Sequence, residues 1–130
     1  MRHLLDVNAL IAYGLSRHHF HNQVGAWIQS QHNAKFLTCS ITELGFVRVL
    51  GNVRTYGLNV EQAKVLLLDL KSRPRLPLVF IADENDLNSL PAWVSSPQQV
   101  TDGHLVQLAQ ANASRLATLD KGIPGSFLIP

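Results

Sequence analysis

Short, wholly apolar runs alternate along this chain with longer stretches whose apolar residues recur every three or four positions, and that rhythm predicts strands interleaved with helices. Residues 2 to 5 read as a strand, followed by a helix from about Val7 to Leu15 and a second from about Asn22 to Gln31, with Val24, Trp27 and Ile28 as its apolar stripe. Lys35 to Thr38 is a second strand. Ser40 opens a helix in which Leu44, Val47 and Leu50 are expected to share the inward face before Gly51-Asn52 ends it. Val60 to Leu70 is a further helix, Leu78 to Ala82 a compact apolar run suited to a buried strand, and Thr101 to Asn112 a helix with Leu105, Leu108 and Ala109 inward. Arg115 to Leu119 is a fourth strand and Phe127 to Ile129 a fifth.

Strands that are apolar throughout, rather than alternating in polarity, belong in a parallel sheet covered on both faces, which predicts a three-layer α/β/α fold. Ligands of such open sheets lie beyond the carboxyl ends of the strands, where strand order reverses. There is no internal repeat or low-complexity tract, and the one proline-rich stretch, Ser72-Arg73-Pro74-Arg75-Leu76-Pro77, is a short connection, so residues 1–130 are expected to form one domain.

Composition narrows the class. A hydrophobic content of 46% supplies a core for a chain of this size, while no apolar run approaches the roughly 20 residues that span a bilayer. Asp6 and Asn8 interrupt the N-terminal apolar stretch where a signal peptide needs an unbroken hydrophobic region. With one cysteine, Cys39, there is no internal disulfide and no multi-cysteine metal site, and a reducing cytoplasm is the expected setting. A net charge of +2 is compatible with a polyanionic partner without demanding one.

Four of the nine acids fall where a strand ends or the next helix begins. Each has an ordinary explanation alone. Asp6 would cap the helix that follows it; Glu43 would close a capping box with Ser40; Asp102 would sit in the favourable first turn of its helix; Asp120 opens the turn Asp120-Lys121-Gly122. Jointly they share one edge of a parallel sheet. If the first, second and fourth strands are neighbours, the carboxylates converge, repel one another and raise their pKa values unless a cation intervenes. Hard oxygen donors without thiolates select Mg²⁺, with Mn²⁺ as a substitute. Glu61 and Asp69 belong to a solvated helix face; Asp83, Glu84 and Asp86 follow the third strand, and Asp86 also suits a helix cap.

The segments Leu4-Leu5-Asp6-Val7-Asn8-Ala9-Leu10-Ile11, Cys39-Ser40-Ile41-Thr42-Glu43-Leu44-Gly45-Phe46-Val47-Arg48-Val49-Leu50, Val100-Thr101-Asp102-Gly103-His104-Leu105 and Leu116-Ala117-Thr118-Leu119-Asp120-Lys121-Gly122 together resemble the PIN-domain family and, within it, the VapC-type toxins of bacterial type II toxin–antitoxin pairs. Each segment is a weak motif, and four in this order over nearly the whole chain are specific. The resemblance implies five parallel strands in the order 3-2-1-4-5, Mg²⁺-dependent endoribonuclease activity on single-stranded or loop RNA such as a tRNA loop, a cognate antitoxin partner and a homodimer. It makes Asp6, Glu43, Asp102 and Asp120 the acidic quartet, with Asp6 and Asp102 foremost as metal ligands. Two departures stand out: Lys121-Gly122 occupies a stretch where some PIN domains carry a further acid, and Gly103 stands where alanine is common.

The expected chemistry is hydrolysis by metal-activated water, leaving 5′-phosphate and 3′-hydroxyl ends. Asn8, Ser40 and Thr118 are candidates to support the carboxylates from behind, and Lys121, Arg48, Arg17 and the His18-His19-Phe20-His21 cluster to contact RNA. Two other classes stay open on sequence. A phosphoacceptor receiver domain also gathers acids and Mg²⁺ at strand ends, although Asp120-Lys121 does not reproduce its lysine. A non-catalytic module would keep the fold and act through partner contacts alone.

Overall fold

The computed structural model describes residues 1–76 and 78–130, so Pro77 of the proline-rich connection lies outside the described residues. β1 (Arg2–Leu5), β2 (Lys35–Thr38), β3 (Leu78–Phe80), β4 (Arg115–Thr118) and β5 (Phe127–Leu128) form a parallel sheet in the order 3-2-1-4-5. The helices are α1 (Val7–Gly14), α2 (His21–Ser30), α3 (Ser40–Leu50), α4 (Val53–Tyr56), α5 (Val60–Lys71) and α6 (Val100–Ala111). The receiver alternative has a 2-1-3-4-5 sheet. The observed order excludes it as a description of this fold.

The two-residue period of a strand splits neighbouring side chains between two cores. Leu5, Phe36, Leu78 and Ala117 face one cluster, filled by Leu10 of α1, Val24, Trp27 and Ile28 of α2, Phe46 and Leu50 of α3, and Leu67 and Leu70 of α5. Leu4, Leu37 and Leu116 face the other, filled by Leu105, Leu108 and Ala109 of α6 with Cys39 and Ile81. The layers and the stripes of α2 and α6 are those read from the sequence.

Three local expectations are corrected. Leu44 is 66% exposed, and α3 turns Thr42, Gly45, Phe46 and Leu50 inward instead. Its cap is Cys39 rather than Ser40: the Thr42 hydroxyl accepts a hydrogen bond from the Cys39 amide at 3.0 Å, so the capping box starts one residue early and Glu43 is not part of it. β3 is an edge strand in which Leu78 is buried while Val79 and Phe80 are exposed. α4 and the single 3-10 turns at Leu87–Ser89 and Pro97–Gln99 are too short to leave a periodic signature. No helix among the described residues is long and apolar enough to cross a membrane.

Candidate active site

β1 ends in Leu5, and the turn into α1 places Asp6 at the helix N-cap, where Oδ1 accepts a hydrogen bond from the Val7 amide at 2.8 Å. Because β1 pairs with β4 in register, with Leu5 opposite Ala117, the other Asp6 oxygen meets the next β4 side chain. The hydroxyl of Thr118, itself fully buried, donates to Asp6 Oδ2 at 2.8 Å and accepts from the Asp120 amide at 3.0 Å. Asn8 completes the group: Oδ1 accepts from the Leu119 amide at 3.1 Å, and Nδ2 donates to Thr118 Oγ1 at 3.2 Å. Thr118 and Asn8 therefore tie the ends of β1 and β4 together. Ser40 is exposed and stands apart from this network.

Asp102 approaches from the first turn of α6. Gly103 beside it explains one departure from the family pattern: a Cβ there would collide with Cγ2 of Val94, so the bare backbone lets α6 pack against the 91–94 loop. Asp6, Asp102 and Asp120 line one open cavity of about 360 Å³, shared with Asn8, His18 and Tyr56. The electrostatics agree with the geometry. Burial pushes the Asp6 pKa up, opposed by its hydrogen bonds from Thr118 and Val7 and reinforced by Asp120. Burial also raises Asp102, with Asp6 and Asp120 adding to the shift. Asp6 and Asp102 thus both feel neighbouring carboxylates across the cavity, and a cation would relieve them.

Glu43 does not join them. Its Oε2 accepts from the Thr38 hydroxyl at 2.5 Å and from Lys71 Nζ at 2.7 Å, and it lines a separate groove between α3 and α5. The quartet expected from the sequence is therefore a trio with a fourth member turned aside, and the partner that turns it, Lys71, lies 28 residues away and gave no signal. Tyr56, on the short helix α4, was missed for the same reason that α4 was. The acids after β3 are engaged elsewhere: Asp86 caps the 3-10 turn through the Asn88 amide, Asp83 bonds His104, and Glu84 faces a different cavity.

Of the cationic candidates, His18 alone lines the carboxylate cavity. Its Nδ1 accepts from the Phe20 amide at 3.1 Å, and burial, with His19 and His21 nearby, lowers its pKa. His21 bonds the Ala12 carbonyl. The Arg17 guanidinium donates to the Tyr56 carbonyl from a neighbouring groove, while Arg48 and Lys121 are exposed beyond the cavity wall.

A five-stranded parallel sheet in the order 3-2-1-4-5, with acids from separate strand ends meeting over β1 and β4, defines a PIN-domain protein. No protein-family model matches the chain. Relatives do: ribonuclease VapC44 of Mycobacterium tuberculosis is 37% identical over 128 residues, covering 95% of this chain and 89% of that protein. Ribonuclease VapC38 of the same species is 35% identical over 124 residues, covering 92% and 86%. The chain belongs to the VapC family. Among solved structures, VapBC2 of Rickettsia felis bound to a promoter DNA fragment superposes with a TM-score of 0.60 at 16% identity, covering 98% of this chain and 97% of that one. VapC20 of M. tuberculosis, described as a toxin that cleaves the sarcin–ricin loop, gives 0.59 at 8% identity over 92% and 89%. At such identities these two bear on the fold alone.

Proposed function

We propose that this chain is a toxin endoribonuclease that hydrolyses RNA with a divalent ion, Mg²⁺ or Mn²⁺, held by Asp6, Asp102 and Asp120, with Glu43 available as a fourth ligand. The observation that carries this reading is the shared cavity whose three carboxylates come from three separate chain segments, two of which, Asp6 and Asp102, are pushed toward their neutral forms by burial and by neighbouring acids. The donor set suits the ion: all oxygens, with the Asp102 and Asp120 carboxylates accepting no hydrogen bond among the described residues, and hard oxygens are what Mg²⁺ selects. Among the described residues no three such side chains are yet drawn to chelating distance, so closure requires rotation of the exposed Asp120 and half-buried Asp102 side chains.

When bound, the ion supplies a lowered water pKa and neutralises charge at the phosphate. The chain's own residues do the rest. Thr118, braced by Asn8, fixes Asp6, the most buried of the three, while Asp102 and Asp120 close from either side. Tyr56 and His18 form the wall against which an unpaired nucleotide could rest, which favours single-stranded or loop RNA, a tRNA loop included, over a duplex. On this reading the protein works in the cytoplasm and is restrained by a cognate antitoxin. It pairs with a second copy through an apolar face that includes the exposed Leu44 and Leu68.

The test is to sequence RNA ends after brief expression of the wild type and of Asp6→Asn. Wild type should yield 5′-phosphate and 3′-hydroxyl ends, and Asp6→Asn should lose at least about 100-fold in cleavage, since even residues that only support metal ligands cost 10–100-fold. Cyclic phosphate ends would rule out hydrolysis by water, full activity in a folded Asp6→Asn protein would remove Asp6 from the mechanism, and no cleavage by the wild type would leave only the non-catalytic reading.

A further inference from the structure

The salt bridge between Lys71 and Glu43 joins the last turn of α5 to the first turn of α3, outside the carboxylate cavity but on the edge of the sheet that bears it. Both side chains are about three-quarters buried, with exposures of 26% and 20%. Lys71 Nζ also stands 5.4 Å from the centre of the Phe80 ring, so the ammonium has a carboxylate on one side and an aromatic face on another. Thr38 and Lys71 both bond the same Glu43 oxygen, Oε2; among the described residues Oε1 accepts no hydrogen bond. One oxygen is held and the other is spare.

We propose that Lys71 is a positioning residue: a tethered cation that holds Glu43 away from the three aspartates and competes with the divalent ion for this fourth carboxylate. The proposal rests on the metal-site reading above and adds what sets the affinity. An ion that recruits Glu43 must open the Lys71 pair, and the free energy of that pair is subtracted from binding. A pair of this exposure corresponds to a weakening of about two- to fivefold. Salt, by screening the pair, should narrow the difference.

The experiment measures Mn²⁺ binding to the RNA-free protein by calorimetry and by electron paramagnetic resonance of free Mn²⁺, in a double-mutant cycle. Lys71→Met should bind Mn²⁺ about two- to fivefold more tightly than wild type, and Lys71→Arg, which restores a cation, should return the wild-type value. In a Glu43→Gln background Lys71→Met should change nothing, because there is no carboxylate left to release. Lys71→Gln serves the same purpose if the methionine variant melts early. An equal gain from Lys71→Met with and without Glu43 would mean that Lys71 acts only by long-range charge, and no gain in either background would mean that the pair does not compete; both overturn the proposal. Asp102→Asn separates the levels: wild-type Mn²⁺ affinity in that variant would sink the metal-site reading itself, whatever Lys71 does.

Discussion

The two ends of β1 each bury an ionisable side chain, and the fold treats them in opposite ways. At the amino end His3, 2% exposed, is enclosed by the rings of Trp27, Phe36 and Phe127, with centroids 5.0 to 5.8 Å away. Neither ring nitrogen has a hydrogen-bond partner among the described residues. At the carboxyl end Asp6, 7% exposed, accepts two hydrogen bonds and looks across a cavity at two further acids. Burial lowers the His3 pKa, with the N-terminal amine and Arg115 adding to the shift, and raises that of Asp6. Both shifts favour the neutral form, but only at Asp6 do hydrogen bonds oppose the shift by replacing water around the charged form. The aromatic end keeps a base uncharged for packing, whereas the polar end stores repulsion that a cation can discharge.

The sharpest way to break this contrast is at Thr118. Thr118→Val keeps the shape but leaves the Asp120 amide and Asp6 Oδ2 without their partner, and should cost about 1–3 kcal/mol in urea unfolding, as buried polar groups left unpaired do. A neutral outcome would mean that water already serves both groups.

The next effect lies in pH dependence. A depressed histidine pKa gives stability that is present above pH 6.5 and lost as pH falls through the folded-state value. His3→Phe should flatten that acid limb, whose slope from one proton is at most about 1.4 kcal/mol per pH unit. The slope is the readout, since the larger ring also crowds its neighbours; an unaltered slope between pH 4 and 6.5 would place the acid sensitivity elsewhere.

The smallest effect is expected at Asp102. Its raised pKa means that this group's contribution to stability is greatest below about 3.8, where it is protonated folded or unfolded, and is lost as pH rises through the folded-state value. Without divalent ions at neutral pH, Asp102→Asn should therefore melt about 1–3 °C above wild type and match it at pH 3. Millimolar Mg²⁺ should close or reverse the gap, because an ion that binds only the folded wild type stabilises it. A gap indifferent to Mg²⁺ would argue that the repulsion has no cation to discharge it.

How much of this was legible depended on range. The layers and the placement of Asp6, Asp102 and Asp120 at one edge follow from short apolar strands and the acids that punctuate them, since each signal spans a few residues, whereas the sheet order came only through the resemblance to PIN domains. Two readings failed on α3: Ser40-Ile41-Thr42-Glu43 reads as a capping box, but the box is made by Cys39 and Thr42, which frees Glu43, and the helix packs through Thr42, Gly45, Phe46 and Leu50, which leaves Leu44 outward. No local pattern announces that Lys71 will meet Glu43 or that His18 and Tyr56 will share a wall with the aspartates. Those contacts exist only after α3 packs on α5 and α4 folds against α3.

The lock between β1 and β4 also has a bearing on synthesis. The groups that hold Asp6, the Ala117 carbonyl and the Thr118 hydroxyl, are more than 110 positions downstream of it. A growing chain cannot assemble the acidic cavity until Asp120 has emerged, and pairings this distant form late because loop closure must precede them. The acidic cavity therefore takes shape only with the pairing of β1 and β4, after the segments between them have been made.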